Sequence, residues 1–170
     1  FSSSFAATND PYEKPLNLQT GIATGSEFFE ESNVDIATQL DLVGTTGTKY
    51  VRLAPKWYKI ESVKGTYNWS KVDEVMQELR SRKLTAVLNV GPAVAPPWAT
   101  VPEGTSLNGL GPNYPDSTHF LNYGAFVKAF VNHMKNDLRI SDSVWQIGNE
   151  PNVYKENWNS TASPKLYTLY

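Results

Sequence analysis

The chain contains no cysteine, which excludes disulfides and cysteine-ligated metals while leaving the compartment open. No apolar stretch approaches the roughly 20 residues that a membrane span requires. No basic cluster offers a footprint for nucleic acid, and no long acidic run forms a tail: 15 basic and 17 acidic residues are spread along the chain and net to −2. No group of His or acidic residues has metal-ligand spacing, and no cofactor is implied. Internal repeats and low-complexity tracts are also missing. What remains is 170 residues, 40% of them hydrophobic, which is enough for one globular domain with a real core.

The first residue is Phe1 in place of Met, so a processed product or a piece of something longer is expected. Small polar residues from Ser2 to Thr8 read as a linker or a mature N-terminus, and residues 1–15 are assigned to such an extension. Two glycosylation acceptor triplets, Asn68-Trp69-Ser70 and Asn159-Ser160-Thr161, lean weakly toward an extracellular protein, since such triplets also arise by chance.

From residue 16 onward strand and helix patterns alternate. Leu16 to Ile22 reads as a first strand, and Asp35 to Val43 as a helix with Ile36, Leu40 and Val43 on one face. Tyr50 to Leu53 is a second strand, ended by Pro55. Ser70 is expected to cap a helix whose buried stripe is Val72, Val75, Met76 and Leu79. Thr85 to Val90 is a third strand, apolar enough to be covered on both faces. A Pro- and Gly-rich loop from Gly91 to Ser117 precedes a long helix, Thr118 to Leu138, lined by Phe120, Tyr123, Val127, Phe130, Met134 and Leu138. Ser143 to Gly148 is a fourth strand, and Pro164 opens a final helix. This βαβα order implies parallel strands. Two closures fit: an open doubly wound sheet, or the first four strands of an eight-stranded barrel, which takes about 250 residues when complete. No glycine fingerprint follows the first strand, so the open-sheet nucleotide site lacks its usual signal.

The most informative segment is Val144 to Asn152, a short apolar strand that stops at Asn149-Glu150 and is followed by Pro151. A carboxylate ending an apolar strand is costly unless it is used, and the C-terminal mouth of a barrel is where catalytic side chains sit. Arg52 lies in a strand that should point inward, where it needs a partner. Trp57 and Trp98 follow the second and third strands on loops that would face the same mouth. Their indole faces suit sugar C–H surfaces, against the plainer reading of core packing. Asn89 can reach the same pocket from the third strand.

Four stretches in the expected order carry a family resemblance: Tyr50-Val51-Arg52-Leu53 with Trp57, Ile60 to Trp69 followed by Val72-Asp73, Pro96-Pro97-Trp98, and Ile147-Gly148-Asn149-Glu150-Pro151-Asn152. The chain resembles the retaining glycoside hydrolases built on (β/α)8 TIM barrels, the superfamily of cellulases, xylosidases and β-galactosidases, from about Thr20 to its last residue. The resemblance implies the N-terminal half of such a barrel over residues 16–170, and a carbohydrate substrate. It implies Glu150 as general acid/base, Asn149 as the hydrogen-bond partner of the sugar 2-hydroxyl, and Arg52 as the group that orients the nucleophile. Apolar walls from Trp145 or Trp98 would raise the Glu150 pKa. The nucleophile lies on the seventh strand of such enzymes, outside this chain, so the half barrel alone is expected to be inactive.

Glu61 reads as structural. Trp69 is expected to pack at its helix start with Tyr67. His119 reads as solvated, and His133 as a helix residue without the acid or hydroxyl neighbour that a triad needs. The rival function is a non-catalytic carbohydrate-binding or scaffold protein on a barrel-derived fold.

Overall fold

The computed structural model describes residues 19–30, 33–92, 95–100, 115 and 117–149. Four parallel strands form one sheet: β1 (Gly21–Gly25), β2 (Tyr50–Leu53), β3 (Thr85–Asn89) and β4 (Val144–Gln146), hydrogen-bonded in the order β1-β2-β3-β4. A doubly wound sheet reverses strand order at its switch point and carries helices on both faces. Here the order never reverses. The fold is α/β, with four consecutive strands of the TIM-barrel type.

Strand parity divides the sheet. Val51, Leu53, Ala86 and Leu88 face the helices and are buried, while Tyr50, Arg52, Thr85 and Val87 alternate with them and stay partly exposed. The helices are α1 (Glu27–Glu30), α2 (Ile36–Thr45), α3 (Trp57–Ile60), α4 (Ser70–Ser81) and α5 (Phe120–Asn132). After α5 the chain widens into a π-helical segment, His133–Asp137, closed by Leu138 N–H donating to His133 O at 3.1 Å. Helix α2 buries Ile36, Leu40 and Val43, and α4 buries Val72, Val75, Met76 and Leu79, the stripes their spacing predicts.

Several expectations are corrected. The first strand starts at Gly21, not near Leu16; residues 16–18 lie outside the described part. Gly-Ile-Ala-Thr-Gly has little apolar signal, and it becomes a strand because β2 supplies the ladder, Gly21 opposite Tyr50. Ser70 is the first helical residue of α4 and not its cap. The Asn68 Oδ1 instead accepts from Ser70 N–H at 3.1 Å and from Ser70 Oγ at 2.7 Å. The buried line of the long helix runs through Tyr123, Phe126, Phe130, His133 and Met134, so Phe126 replaces Val127.

His133 is not the isolated helix residue expected. Its Nδ1 lies 2.8 Å from Asp137 Oδ2 and its Nε2 2.6 Å from Asp73 Oδ1. These two contacts tie α4 to the π segment. The imidazole also stacks on Trp69 at 4.6 Å and 10°, and Tyr67 stacks on the same indole at 5.3 Å and 18°. Among the described residues no serine or threonine hydrogen-bonds to this ring, so the arrangement is a clamp and not a triad.

Candidate active site

The C-terminal ends of β2, β3 and β4 bring together three of the residues singled out from sequence. Register places Arg52 opposite Val87 and Asn89 opposite Gln146, so all four project from the face that the helices do not cover. The Arg52 guanidinium is the hub. Its Nε donates to Gln146 Oε1 at 2.9 Å, and its Nη2 to Asn149 Oδ1 at 2.9 Å. With its amide oriented to satisfy both neighbours, Asn89 Oδ1 accepts from Arg52 Nη2 at 3.0 Å and its Nδ2 donates to Gly148 O at 3.0 Å. Gln146 Nε2 donates to the same carbonyl at 2.8 Å. Three side-chain amides therefore fix one guanidinium, and its Nη1 makes no hydrogen bond among the described residues.

Backbone geometry aims this cluster. Gly148 adopts φ +74, which turns the chain sharply after β4, just ahead of Asn149. Gly91 passes so close that a Cβ on it would lie 3.1 Å from Gly148 Cα. The end of β3 is held by Tyr123 Oη, which donates to Val90 O at 2.6 Å, and by Val90 N–H, which donates to Gln146 O at 2.9 Å.

Gln146 was missed from sequence although it holds Arg52 directly. Its signal was parity: a polar residue with the inward phase of Asn89 inside an otherwise apolar strand. Glu150, the expected acid/base, lies outside the described residues, as do Trp158 and the segment from Pro151 to Tyr170.

The tryptophans separate. Trp57, expected on a mouth loop where it could meet sugar, is wholly buried in α3. Its ring stacks on Phe126 at 5.5 Å and 22° and tilts against Tyr123 at 5.6 Å, so no face is left for a ligand. Its indole N–H donates to the buried Glu61 Oε2 at 2.6 Å, which satisfies its polar end in a dry site. Glu61 is structural in just this sense, and its Oε1 also accepts from Gly65 N–H at 2.7 Å. Trp145 faces the helix layer, edge-on to Phe130 at 5.4 Å, and not the polar cluster. Trp98 sits on a 3-10 turn, Pro97–Ala99, partly exposed. Its indole N–H is tied to Glu61 O at 3.0 Å, and Lys64 Nζ lies 5.5 Å from its ring centroid. His119 is half-buried against the Trp98 edge, with centroids 5.8 Å apart.

No helix among the described residues is long and apolar enough to cross a membrane. Among the same residues no group of three or more His, Cys, Asp or Glu side chains could hold a metal ion.

Comparison with known proteins gives a consistent result. The model of the glycoside hydrolase 42 family, described as β-galactosidase, matches residues 28–165. No curated protein matches the sequence. Among solved structures, a β-galactosidase from the haloarchaeon Halorubrum lacusprofundi superposes with TM-score 0.62 at 19% identity, over 82% of this chain and 22% of that one. An exo-β-1,4-mannosidase from Opitutaceae bacterium strain TAV5 gives 0.59 at 19%, over 76% and 24%. A family 30 subfamily 8 xylanase from Clostridium acetobutylicum gives 0.57 at 16%, over 88% and 37%. At these identities the structural likeness establishes the fold alone. The chain spans between 22% and 37% of the length of these three structures.

Proposed function

The chain belongs to the β-galactosidase family matched over residues 28–165, and from that premise we propose that it forms the first half of a barrel that hydrolyses a β-glycosidic bond with retention of configuration. The observation that carries this reading is Arg52, fixed by amides from the ends of β3 and β4, with its Nη1 making no hydrogen bond among the described residues. A guanidinium held in this way at the mouth of a barrel can keep a nucleophilic carboxylate ionised and oriented.

In this reading Glu150 is the general acid/base. It protonates the leaving oxygen, then takes a proton from the water that resolves the glycosyl-enzyme. The nucleophile is a second carboxylate on a later strand, outside this chain, about 5–5.5 Å from that of Glu150. Asn149, held by Arg52, binds the sugar 2-hydroxyl, and Trp98 offers a partly exposed ring to a neighbouring sugar. A terminal β-galactoside is the substrate to test first, because of the family description.

The test exploits the two halves of the reaction. An activated aryl galactoside needs no acid to lose its leaving group, and azide needs no base to attack the intermediate. In the full-length protein, Glu150→Ala is expected to lose turnover of poor leaving groups by a factor of about 10²–10⁴. The variant should keep its reaction with dinitrophenyl galactoside, and azide should accelerate that reaction to give the β-galactosyl azide. An α-azide, or no response to azide, sinks the assignment.

A further inference from the structure

At the opposite end of the strands from Arg52 lies a cavity of about 260 Å³ that the glycosidase reading does not use. Thr85 at the start of β3 and Ser143 just ahead of β4 line it, so it opens at the N-terminal side of the sheet. Its floor is apolar, with Met76, Leu79 and Ala86 all buried. Its rim carries three cations, Arg80, Lys83 and Arg139, against one acid, Asp142.

Two of those cations stand on unusual backbone. Lys83 has φ +56 and Arg139 φ +58, and they are the two non-glycine residues with positive φ among the described residues. Each follows a helix end and is succeeded by a residue that bonds back into that helix. Leu84 N–H donates five residues back to Leu79 O at 3.0 Å, and Ile140 N–H six residues back to Met134 O at 2.9 Å, across the wider π turn. Glycine is the usual residue at that position, because a Cβ is strained there. Complementing the helix dipole does not explain a cation at either place. Arg80 already lies in the last turn of α4, and Lys135 in that of the π segment, both on unstrained backbone. Two helix ends thus make the same costly departure, with the same charge, around the same cavity.

A third observation is independent of charge. The Ser143 Oγ is buried and makes no hydrogen bond among the described residues, and an orphaned buried hydroxyl calls for a partner. Arg80 is fixed across the two helix ends, its Nη1 donating to Leu138 O at 3.2 Å. Lys83 and Arg139 make no ion pair or side-chain hydrogen bond among the described residues.

We propose that this cavity binds a small organic oxyanion, a phosphate or carboxylate carried on an apolar body. Lys83 and Arg139 meet the charge, Ser143 Oγ donates to an oxygen, and the floor of Met76, Leu79 and Ala86 takes the apolar part. The site is separate from the proposed cleft, and its test does not depend on glycosidase activity.

The experiment titrates the protein with phenyl phosphate, benzoate, inorganic phosphate and phenol, followed by calorimetry or backbone NMR. Saturable binding of phenyl phosphate or benzoate is expected, tighter than that of inorganic phosphate or phenol and weakened by salt. The tighter of the two identifies the headgroup. Lys83→Gly and Arg139→Gly are chosen because glycine is at ease at these φ values, so both variants fold. Each is expected to weaken binding by about tenfold, the effect of losing one charge-assisted contact, while melting at a temperature equal to or above that of the parent. Ser143→Ala should weaken it less. Absence of saturation by both organic anions at about 10 mM, or unchanged binding in both glycine variants, overturns the proposal.

Discussion

On the helix-covered face of the sheet Val51, Leu53 and Leu88 are wholly buried, whereas on the other face Arg52 and Val87 remain partly open and Val144 is 46% exposed. Residues one apart in sequence therefore live in different solvents. The covered face is finished within the described residues: Trp98, Trp57, Phe126, Phe130 and Trp145 run through it in successive ring contacts of 5.4–6.0 Å. The open face instead concentrates polarity, with three amides spent on one guanidinium. The contrast teaches that strand parity separates the residues that stabilise this fold from those available for chemistry.

The sharpest way to break that contrast is to cut each face once. Trp57→Ala empties a dry site with several aromatic neighbours and strands the Glu61 carboxylate, so a loss of about 3–5 kcal/mol is expected in urea unfolding. In the 170-residue chain alone, Val144→Thr on the open face should stay within about 0.5 kcal/mol, whereas a closed barrel would bury that side chain. Comparable losses from the two would mean that the faces do not differ.

A smaller effect is expected where the helix layer is held by polar contacts. His133→Phe keeps a ring against Trp69 but leaves Asp73 and Asp137 without their shared hydrogen-bond partner, for a loss of about 1–3 kcal/mol. If Asp73→Asn in the His133→Phe background costs as much as it does alone, the clamp is not a unit. On the other side of the sheet, Gly91→Ala drives a Cβ toward Gly148, for about 1–3 kcal/mol of overpacking. Unlike His133→Phe, it should also shift the Asn149 and Arg52 side-chain NMR signals, because Gly148 turns the chain into Asn149. A Gly91→Ala protein with those signals unmoved would remove the link between that glycine contact and the polar cluster.

Periodicity explains how much of this was legible in advance. Tyr50–Leu53 and the stripe of α4 followed from alternation and helical spacing, and the inward phase of Arg52 and Asn89 from the same parity. What escaped was set by contacts distant in sequence. Trp57 reads like a loop residue until α3 turns it under Phe126, which lies 69 positions away. His133 gains Asp73 only because α4 lies beside the π segment, although Asp137, one helical turn on, was visible in the chain. Gln146 carries no motif of its own and matters only through the register that sets it opposite Asn89.

The smallest expected effect concerns the covered layer again, at a surface cap. Asp35 Oδ1 accepts from Thr38 N–H at 3.0 Å and Oδ2 from Thr38 Oγ at 2.7 Å, closing the start of α2. The Thr38 N–H, then its hydroxyl, hold the Asp35 carboxyl below its ordinary value, with a lesser contribution from the Arg82 charge. A carboxyl whose folded pKa is depressed adds stability that is complete above the unfolded value and is lost as pH falls through the folded one. Asp35→Asn keeps an oxygen for the cap and removes the titration, so its melting temperature should fall less steeply into acid than that of the parent. Asp35→Ala should be destabilised at neutral pH and match the asparagine variant's shallow acid slope. Identical acid slopes in all three proteins would show that the cap is not titrating, and that the helix layer owes its cohesion to the aromatic packing beneath it.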